Sequence, residues 1–295
     1  MEIVRRIQDI REQVRQWRSA GCTIGLVPTM GALHEGHLAL VDRSRARCQR
    51  TIATLFVNPT QFTQSEDFQQ YPRQEARDSE LLESHGCDSL FAPSANEMYP
   101  DGHRIPEQFR TTVHVHGLSE ELCGAIRPGH FIGSATVVMK LLMIAGPDVA
   151  FFGEKDFQQL QVFRRMVRDL DVPVEIEGVE TVREPDGLAM SSRNAYLTPS
   201  ERASAPLLFR VLNCAAGELQ RGSEVAAATA RAAEALRKGG FQSVDYVALV
   251  DPETLRPIAD VKKATRLLAA AWLGRARLID NVSVAPVTRG PSNLA

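Results

Sequence analysis

Up to about residue 175, the chain alternates short apolar runs with stretches of helical periodicity. The apolar runs are expected strands at 23–27, 51–57, 89–92, 111–115 and 149–152. The helical stretches are expected at 2–19, 37–48, 74–85, 133–145 and 156–170. Strands and helices in this order form a mostly parallel sheet with helices on both faces. The predicted fold class is therefore α/β, a Rossmann-like doubly wound parallel sheet.

The pattern changes after Glu177, and we predict one domain at 1–178 and a second at 179–295. The second part begins with Ala- and Leu-rich helices expected at 198–222 and 223–238, the first one capped by Thr198. Three β-rich runs follow, at 243–250, 265–272 and 276–284, and residues 289–295 are expected to form a disordered tail. These elements predict a smaller C-terminal α+β domain.

Composition excludes several classes of protein. The 295 residues carry a net charge of −2, which argues against general affinity for nucleic acid. Residues 1–19 form an amphipathic stripe broken by charges, and no tract is long enough to cross a bilayer, so we expect neither a signal peptide nor a membrane span. The five cysteines form no C-x-x-C pair, which fits a reducing compartment, and we expect a cytoplasmic protein.

The segment Pro28–His37 joins the first of these strands to the next helix. Gly31 and Gly36 let the backbone approach a ligand closely, and the start of a helix offers unpaired N–H groups to an anion. His34 and His37 are three residues apart on the first turn, so both side chains can point the same way. The turn predicts a phosphate site.

Two other interpretations of this histidine pair remain open. An H-x-x-H pair can bind a metal, but zinc requires a third and usually a fourth ligand, and no cysteine pair supplies them. The two histidines can also be surface residues with no function. His114 and His116 alternate on an expected strand and are interpreted as facing solvent or a partner subunit.

Polar clusters follow two further strands, and parallel strands bring their carboxyl ends to one crevice. Asn58 and Gln61 offer amide groups beside Phe62, which suit a small polar organic substrate. Lys155, in the cluster 153–156, is suited to a polyphosphate, although a solvated charged run is the simpler interpretation of that cluster alone. The segment 191–193 supplies two hydroxyl groups and a guanidinium, which is either a phosphate clamp or an ordinary loop.

Taken together, the motifs resemble those of the pantoate–β-alanine ligases, in the nucleotidylyltransferase superfamily. His34–His37 resembles the H-x-G-H element of that superfamily, and Met190–Arg193 occupies the place of its K-M-S-K-S-like element. The match runs in order from residue 1 to about residue 285. The segments that carry it are Pro28–His37, Phe56–Phe62, Tyr71–Arg73, Arg127–Phe131, Gly153–Leu160 and Gly187–Asn194.

The resemblance implies a two-step, ATP-dependent ligase. Pantoate's carboxylate would attack the α-phosphorus of ATP to give pantoyl adenylate and pyrophosphate, and the amine of β-alanine would then displace AMP. The residues implied to act in catalysis are His34, His37, Lys155, Ser191, Ser192 and Arg193. Those implied to bind ATP are Met30, His34, His37, Gly153, Lys155, Asp156, Val182, Met190, Ser191, Ser192 and Arg193. Gln61 and Gln159 are implied to bind pantoate.

The resemblance also implies a magnesium requirement and a homodimer. Asp78 lies where the family has a carboxylate linked to Mg²⁺, but Arg77 replaces an acidic neighbour found in some relatives, so the nucleotide itself is the main expected ligand of the ion. Two other functions stay open: another nucleotidylyltransferase of this superfamily, which would not need the amides at 58–62, and a nucleotide-binding regulator that has lost catalysis.

Overall fold

The computed structural model describes residues 1–62, 68–69 and 71–286. The chain divides into two compact units, Met1–Val182 and a second that begins at Arg183. The predicted tail at 289–295 lies outside the described residues. Within the described ranges, no helix has the length and apolar character needed to cross a bilayer.

The first unit is built on a six-stranded sheet in the order β1-β4-β3-β2-β5-β6, and every neighbouring pair is parallel. The strands are β1 (Glu2–Val4), β2 (Ile24–Thr29), β3 (Arg50–Leu55), β4 (Ser89–Phe91), β5 (Val149–Gly153) and β6 (Glu175–Val179). The helices are α1 (Ile7–Ser19), α2 (Glu35–Arg47), α3 (Glu75–Ser84), α4 (Ala95–Met98), α5 (Cys123–Ile126), α6 (His130–Ala145) and α7 (Phe157–Asp169). The predicted doubly wound α/β class is confirmed.

Strand β2 lies between β3 and β5, and five of its six residues are buried. A strand covered on both faces is an almost continuous apolar run, as this one is. The two helix groups pack separately, since α2 contacts α3 while α6 contacts both α1 and α7. The turns after β2, β3 and β5 leave the sheet at its carboxyl edge, which is where ligands of such sheets bind.

As far as residue 286, the second unit contains three α-helices and a three-stranded antiparallel sheet in the order β7-β8-β9. Its elements are α8 (Pro199–Ser204), α9 (Leu207–Gln220), α10 (Val225–Lys238), β7 (Ser243–Val250), β8 (Thr265–Leu273) and β9 (Ala276–Val284). Helices α9 and α10 pack on each other and on the sheet. Thr198 caps α8 in a capping box with Glu201, as the sequence predicted. A smaller α+β unit is therefore confirmed.

Several elements differ from the sequence predictions, and the short helices α4 and α5 were not predicted. Residues 111–115, predicted as a strand, lie outside the sheet, because the N–H of Val113 is taken by the Thr136 hydroxyl at 2.9 Å. The predicted helix 198–222 is two helices, α8 and α9, since Pro206 interrupts it. Helix α1 starts at Ile7 because the preceding residues form β1, which pairs with β4. Strand β6 was not predicted, since Glu175 and Glu177 broke its apolar pattern.

Candidate active site

The turn between β2 and α2 is held by one buried carboxylate. Gly31 and Ala32 both have positive φ, of 84° and 53°. For alanine this left-handed conformation costs about 1–2 kcal/mol, so something must stabilise it. Asp78 of α3, which is fully buried, does so by accepting hydrogen bonds from the N–H groups of Ala32 and Leu33, each at 2.9 Å. The backbone of the turn is thus fixed by the protein itself.

His34 is the N-cap of α2. Its Nδ1 accepts a hydrogen bond from the N–H of Gly36 at 3.1 Å. A neutral ring whose Nδ1 accepts carries its proton on Nε2, so the other nitrogen is a donor. Burial, with a smaller contribution from the Lys155 cation, lowers the pKa of His34 to about 4. At neutral pH the ring is therefore an uncharged hydrogen-bond donor.

His37 lies beside His34, with the two ring centroids 4.1 Å apart. Burial lowers the pKa of His37 to about 3, and His34 and Lys155 contribute to the same direction. Its Nδ1 is buried and has no hydrogen-bond partner among the described residues. Two neutral imidazoles at a helix start can therefore receive phosphate oxygens without bringing a charge of their own.

The cation near these rings comes from the end of β5. Gly153 is the last residue of that strand, and residues 154–156 form one 3₁₀ turn before α7. Lys155 Nζ is 3.8 Å from a carboxylate oxygen of Asp156, and both charges act on the two histidines. Asp156 was predicted as the first residue of α7 and is instead its N-cap. The structure thus brings Lys155 and Asp156 together with the histidine pair.

The turn after β3 carries a buried amide cluster centred on Asn58. Asn58 Nδ2 donates to the carbonyl of Gly133 at 3.2 Å and to Gln61 Oε1 at 3.0 Å. Its Oδ1 accepts from the hydroxyl of Tyr99 at 2.8 Å, and burial raises the pKa of Tyr99, which keeps that phenol a donor. These partners identify Nδ2 as the donor and Oδ1 as the acceptor of the Asn58 amide. Since Nδ2 donates to Gln61, the Gln61 atom that faces Asn58 is the oxygen, Oε1.

Gln61 reaches the histidine turn through Met30. With its oxygen taken by Asn58, its Nε2 lies 3.2 Å from Met30 Sδ. A thioether is a weak hydrogen-bond acceptor, so Gln61 Nε2 can donate instead to a stronger acceptor on a ligand. Met30 begins the turn that ends in the histidine pair, so the structure connects the amide cluster with the turn at this residue.

Three residues support this cluster in ways that the sequence did not predict, although His130 belongs to the motif segment Arg127–Phe131. His130 accepts a hydrogen bond from Arg127 on one ring nitrogen and donates from the other to the carbonyl of Gln61 at 2.8 Å. A Cβ added to Gly133 would lie 2.2 Å from the carbonyl oxygen of Thr60, so only glycine lets α6 approach this loop. Tyr99, the third, is separated from Asn58 by 41 residues, and no local pattern indicates its contact.

Gln158 and Gln159 have different environments. Gln158 is buried, and its Nε2 donates to the carbonyls of Leu118 and Glu121 at 2.9 and 2.7 Å. Its amide is therefore fully used inside the protein. The Gln159 side chain is half-buried and makes no hydrogen bond within the described part of the chain. Of the two neighbours, Gln159 is the one available to a ligand.

The second unit carries the segment Met190–Arg193 on a short hairpin. Arg183 and Ala189 pair as an isolated antiparallel bridge, and the side chain of Ser191 accepts from the N–H of Arg193 at 3.3 Å. Arg183 donates to both carboxylate oxygens of Asp280 on β9, at 2.6 and 2.9 Å. It also donates to the carbonyl of Gly187 at 3.1 Å. Ser191, Ser192 and Arg193 are all half-buried, and Val182 is the last residue of the first unit.

Comparison with known proteins gives matches over nearly the whole chain. The family profile described as pantoate-beta-alanine ligase matches residues 2–283. A pantothenate synthetase of Paramagnetospirillum magneticum is 55% identical over 97% of this chain and 99% of its own length. One from Rhizorhabdus wittichii is 54% identical over the same shares of the two chains.

Two solved structures extend the comparison to the fold. Pantothenate synthetase from Thermus thermophilus superposes with a TM-score of 0.89 at 48% identity, over 97% of this chain and all of that one. The pantoate-beta-alanine ligase from Francisella tularensis, solved with beta-gamma ATP and beta-alanine, has a TM-score of 0.80 at 31% identity, over 99% of this chain and all of that one. On fold, site motifs and full-length similarity alike, this chain belongs to the pantoate–β-alanine ligase family.

Proposed function

We propose that this protein condenses pantoate with β-alanine at the expense of ATP, giving pantothenate, AMP and pyrophosphate. The observation that carries the proposal is a contact at Met30. This residue begins the turn that holds the neutral histidine pair, and its sulfur lies beside the Nε2 donor of Gln61. One part suits a polyphosphate and the other a small hydroxy acid, which are the two reactants that must meet for the acid to be activated.

In the first step, the carboxylate oxygen of pantoate attacks the α-phosphorus of ATP, and the bond from that phosphorus to the β-phosphate oxygen breaks. The products are pantoyl adenylate and pyrophosphate. His34 and His37 donate to phosphate oxygens, and Lys155 neutralises the developing charge. Transfer of this kind requires positioning and charge neutralisation and no nucleophile from the protein, which fits the side chains present.

Gln61 and Gln159 are proposed to hold pantoate. Gln61 Nε2 is fixed as a donor by Asn58, so it suits a carboxylate or hydroxyl oxygen. Gln159 has an amide that makes no hydrogen bond to the described residues. Neutral amides are appropriate here because a carboxylate side chain would repel the acid.

The remaining roles are supported by the match to the family motifs. Met30 is proposed to lie at the reacting centre, and Gly153, Asp156 and Val182 to contact the adenosine. Met190, Ser191, Ser192 and Arg193 are proposed to receive the β- and γ-phosphates, because two hydroxyls and a guanidinium on one short segment are suitable phosphate ligands.

Magnesium is proposed to enter with ATP. Asp78 fits poorly as a direct ligand because its side chain is fully buried and both carboxylate oxygens already accept backbone N–H groups. Mg²⁺ commonly keeps several waters and binds mainly through substrate phosphates. When bound, the ion would supply positive charge to the phosphates. Asp78 itself is needed to hold the turn.

In the second step, the amine of β-alanine attacks the acyl carbon of the adenylate. The acyl–oxygen bond breaks, AMP leaves with that electron pair, and the amine loses a proton as the amide forms. We also propose a cytoplasmic homodimer. All five cysteines are free, which fits a reducing compartment, and the dimer is the state expected for the family. Light scattering of the purified protein tests the dimer.

Pyrophosphate exchange tests the function. With ATP, magnesium and pantoate alone, the enzyme should exchange labelled pyrophosphate into ATP, since adenylate formation is reversible while the intermediate is sheltered from water. β-Alanine should convert the bound adenylate to pantothenate and AMP. Exchange that required β-alanine would contradict a separate adenylate step. Absence of any pantothenate would overturn the proposed function.

Two variants test the residue assignments separately from the function. Arg193→Ala should slow pyrophosphate exchange but largely spare the reaction of β-alanine with supplied pantoyl adenylate, in which no pyrophosphate leaves. Arg210→Ala, an exposed arginine of the same unit, is the matched control. Gln61→Glu should raise the apparent KM for pantoate far more than that for ATP. Equal effects on the two substrates would remove Gln61 from the acid pocket.

A further inference from the structure

A second cluster of ligand-type side chains lies outside the proposed active site. His114 lies in an irregular segment, and His116 begins the turn that follows it. Their ring centroids are 4.0 Å apart. Both residues are exposed, and neither has a part in the proposed reaction.

Glu120 completes this cluster from the turn that follows. Its Oε1 lies 3.3 Å from His114 Nε2 and 3.3 Å from His116 Nδ1. Ligand atoms about 2.0–2.1 Å from a tetrahedral zinc ion are about 3.3–3.4 Å from one another. The two imidazole–carboxylate separations therefore equal two edges of such a tetrahedron, and the three ligand atoms all lie within 4.8 Å of each other.

The carboxylate is oriented by the backbone of the turn. Gly117, with φ of 78°, donates its N–H to the second oxygen of Glu120, Oε2, at 3.3 Å. The N–H of Glu120 donates to the carbonyl of Gly117 at 3.1 Å, and the N–H of Ser119 donates to the carbonyl of Val115 at 3.1 Å. Partners of this kind, which fix the direction of a ligand, are a usual part of protein metal sites.

We propose that His114, His116 and Glu120 form a surface site for a divalent transition-metal ion of the zinc class. Two imidazoles and one carboxylate leave the fourth tetrahedral position to water or an external ligand. Imidazole nitrogen selects Zn²⁺, Ni²⁺ or Cu²⁺ over Mg²⁺, so this site is distinct in chemistry from the magnesium that accompanies ATP.

Calorimetric titration of the full-length, chelator-treated protein with Zn²⁺, in the absence of ATP, tests the site. We expect saturable binding of one ion per chain at this cluster, and none when Mg²⁺ replaces Zn²⁺. His114→Asn, His116→Asn and Glu120→Gln should each weaken binding by at least about 10- to 100-fold, since loss of an outer partner alone costs that much. His103→Asn, which changes an exposed histidine outside the cluster, is the matched control.

A spectroscopic arm distinguishes this cluster from the histidine pair of the active-site turn. Co²⁺ bound by wild-type protein should give the visible spectrum of a tetrahedral site, and His114→Asn/His116→Asn should lose it. Zn²⁺ should raise the Tm of wild-type protein and not of that double variant. If binding is not saturable, or persists unchanged in the double variant, the proposal is wrong. Equal weakening by His103→Asn would also overturn it.

Discussion

The two turns proposed to handle phosphate are anchored in different ways. In the first unit, the carboxylate of Asp78 binds the turn's own backbone N–H groups. In the second unit, the carboxylate of Asp280 binds the guanidinium of Arg183, which also donates to the carbonyl of Gly187, and Arg202 adds salt bridges to the hairpin residues Glu184 and Asp186. Direct anchoring fixes the backbone itself, whereas anchoring through a long side chain depends on a charge pair. The first turn is therefore the more rigidly prepared of the two.

If the backbone of the first turn is prearranged, replacing its histidines should cause the largest loss of adenylation rate. We expect His34→Ala or His37→Ala to fold normally and to lose roughly 10² to 10³ in adenylation rate, which is typical when one prearranged donor to a developing charge is removed. Pyrophosphate exchange measures this loss. His85→Ala, which pairs with Asp42 on the surface, serves as control. Near-normal exchange in either variant would remove the phosphate role.

Neutralising Asp280, which anchors the second turn, should lower the free energy of unfolding more than neutralising Asp78, which anchors the first. Asp280→Asn leaves the Arg183 cation without its bidentate partner, and breaking a buried pair from one side costs about 3–5 kcal/mol. We expect about 3 kcal/mol of lost unfolding free energy, because Arg183 keeps one-fifth of its side chain in solvent and stacks on Phe209. Urea unfolding followed by circular dichroism measures it. A loss below that of Asp78→Asn would reverse the comparison.

Asp78→Asn should cost less. The substitution turns one carboxylate oxygen into an NH₂ group that faces a backbone N–H. That buried N–H loses its acceptor, which should lower the free energy of unfolding by about 1–3 kcal/mol. Glu80→Gln, an exposed acid on the same helix, is the control for loss of charge. Adenylation should slow because the histidines move with the turn, while the apparent affinity for magnesium at saturating ATP should not change. A raised magnesium requirement would instead make Asp78 a ligand.

The smallest expected effect is on the pH dependence of stability. The folded-state pKa values of His34 and His37 lie at about 4 and about 3, below the unfolded value, so the unfolded state binds more protons on acidification. Their contribution is present above the unfolded pKa of about 6.5 and is lost as pH falls toward the folded values. Between pH 7 and pH 6 we expect wild-type protein to lose roughly 1 kcal/mol more than His34→Asn/His37→Asn. Equal losses would show that these rings titrate normally.

The parts that sequence predicted best are those that local patterns determine. Apolar runs and helical periodicity gave the sheet, and Gly31 with His34 and His37 gave the turn, because a strand–turn–helix sequence is itself local. Strands β1 and β6 are the edges of the sheet, and their sequences show no continuous apolar run. Tertiary pairing, which the local pattern does not contain, makes them strands.

The supports of the site could not be predicted for the same reason. Asp78 lies 46 residues from Ala32, and Tyr99 lies 41 residues from Asn58. Nothing near Asp78 in the sequence distinguishes a carboxylate that holds a backbone turn from one that holds a metal ion. Likewise, the neighbours Gln158 and Gln159 are told apart only by the carbonyl groups that surround the first of them.

The capping bond of His34 has a consequence for molecules designed to occupy this turn. Because Nδ1 is committed to Gly36, the free nitrogen of the neutral ring can only give a hydrogen bond. An inhibitor should therefore present sulfonyl, carbonyl or phosphonate oxygens to His34. An amine or amidine at the same place would set donor against donor. Local backbone capping thus defines the polarity of the chemical groups that this turn accepts.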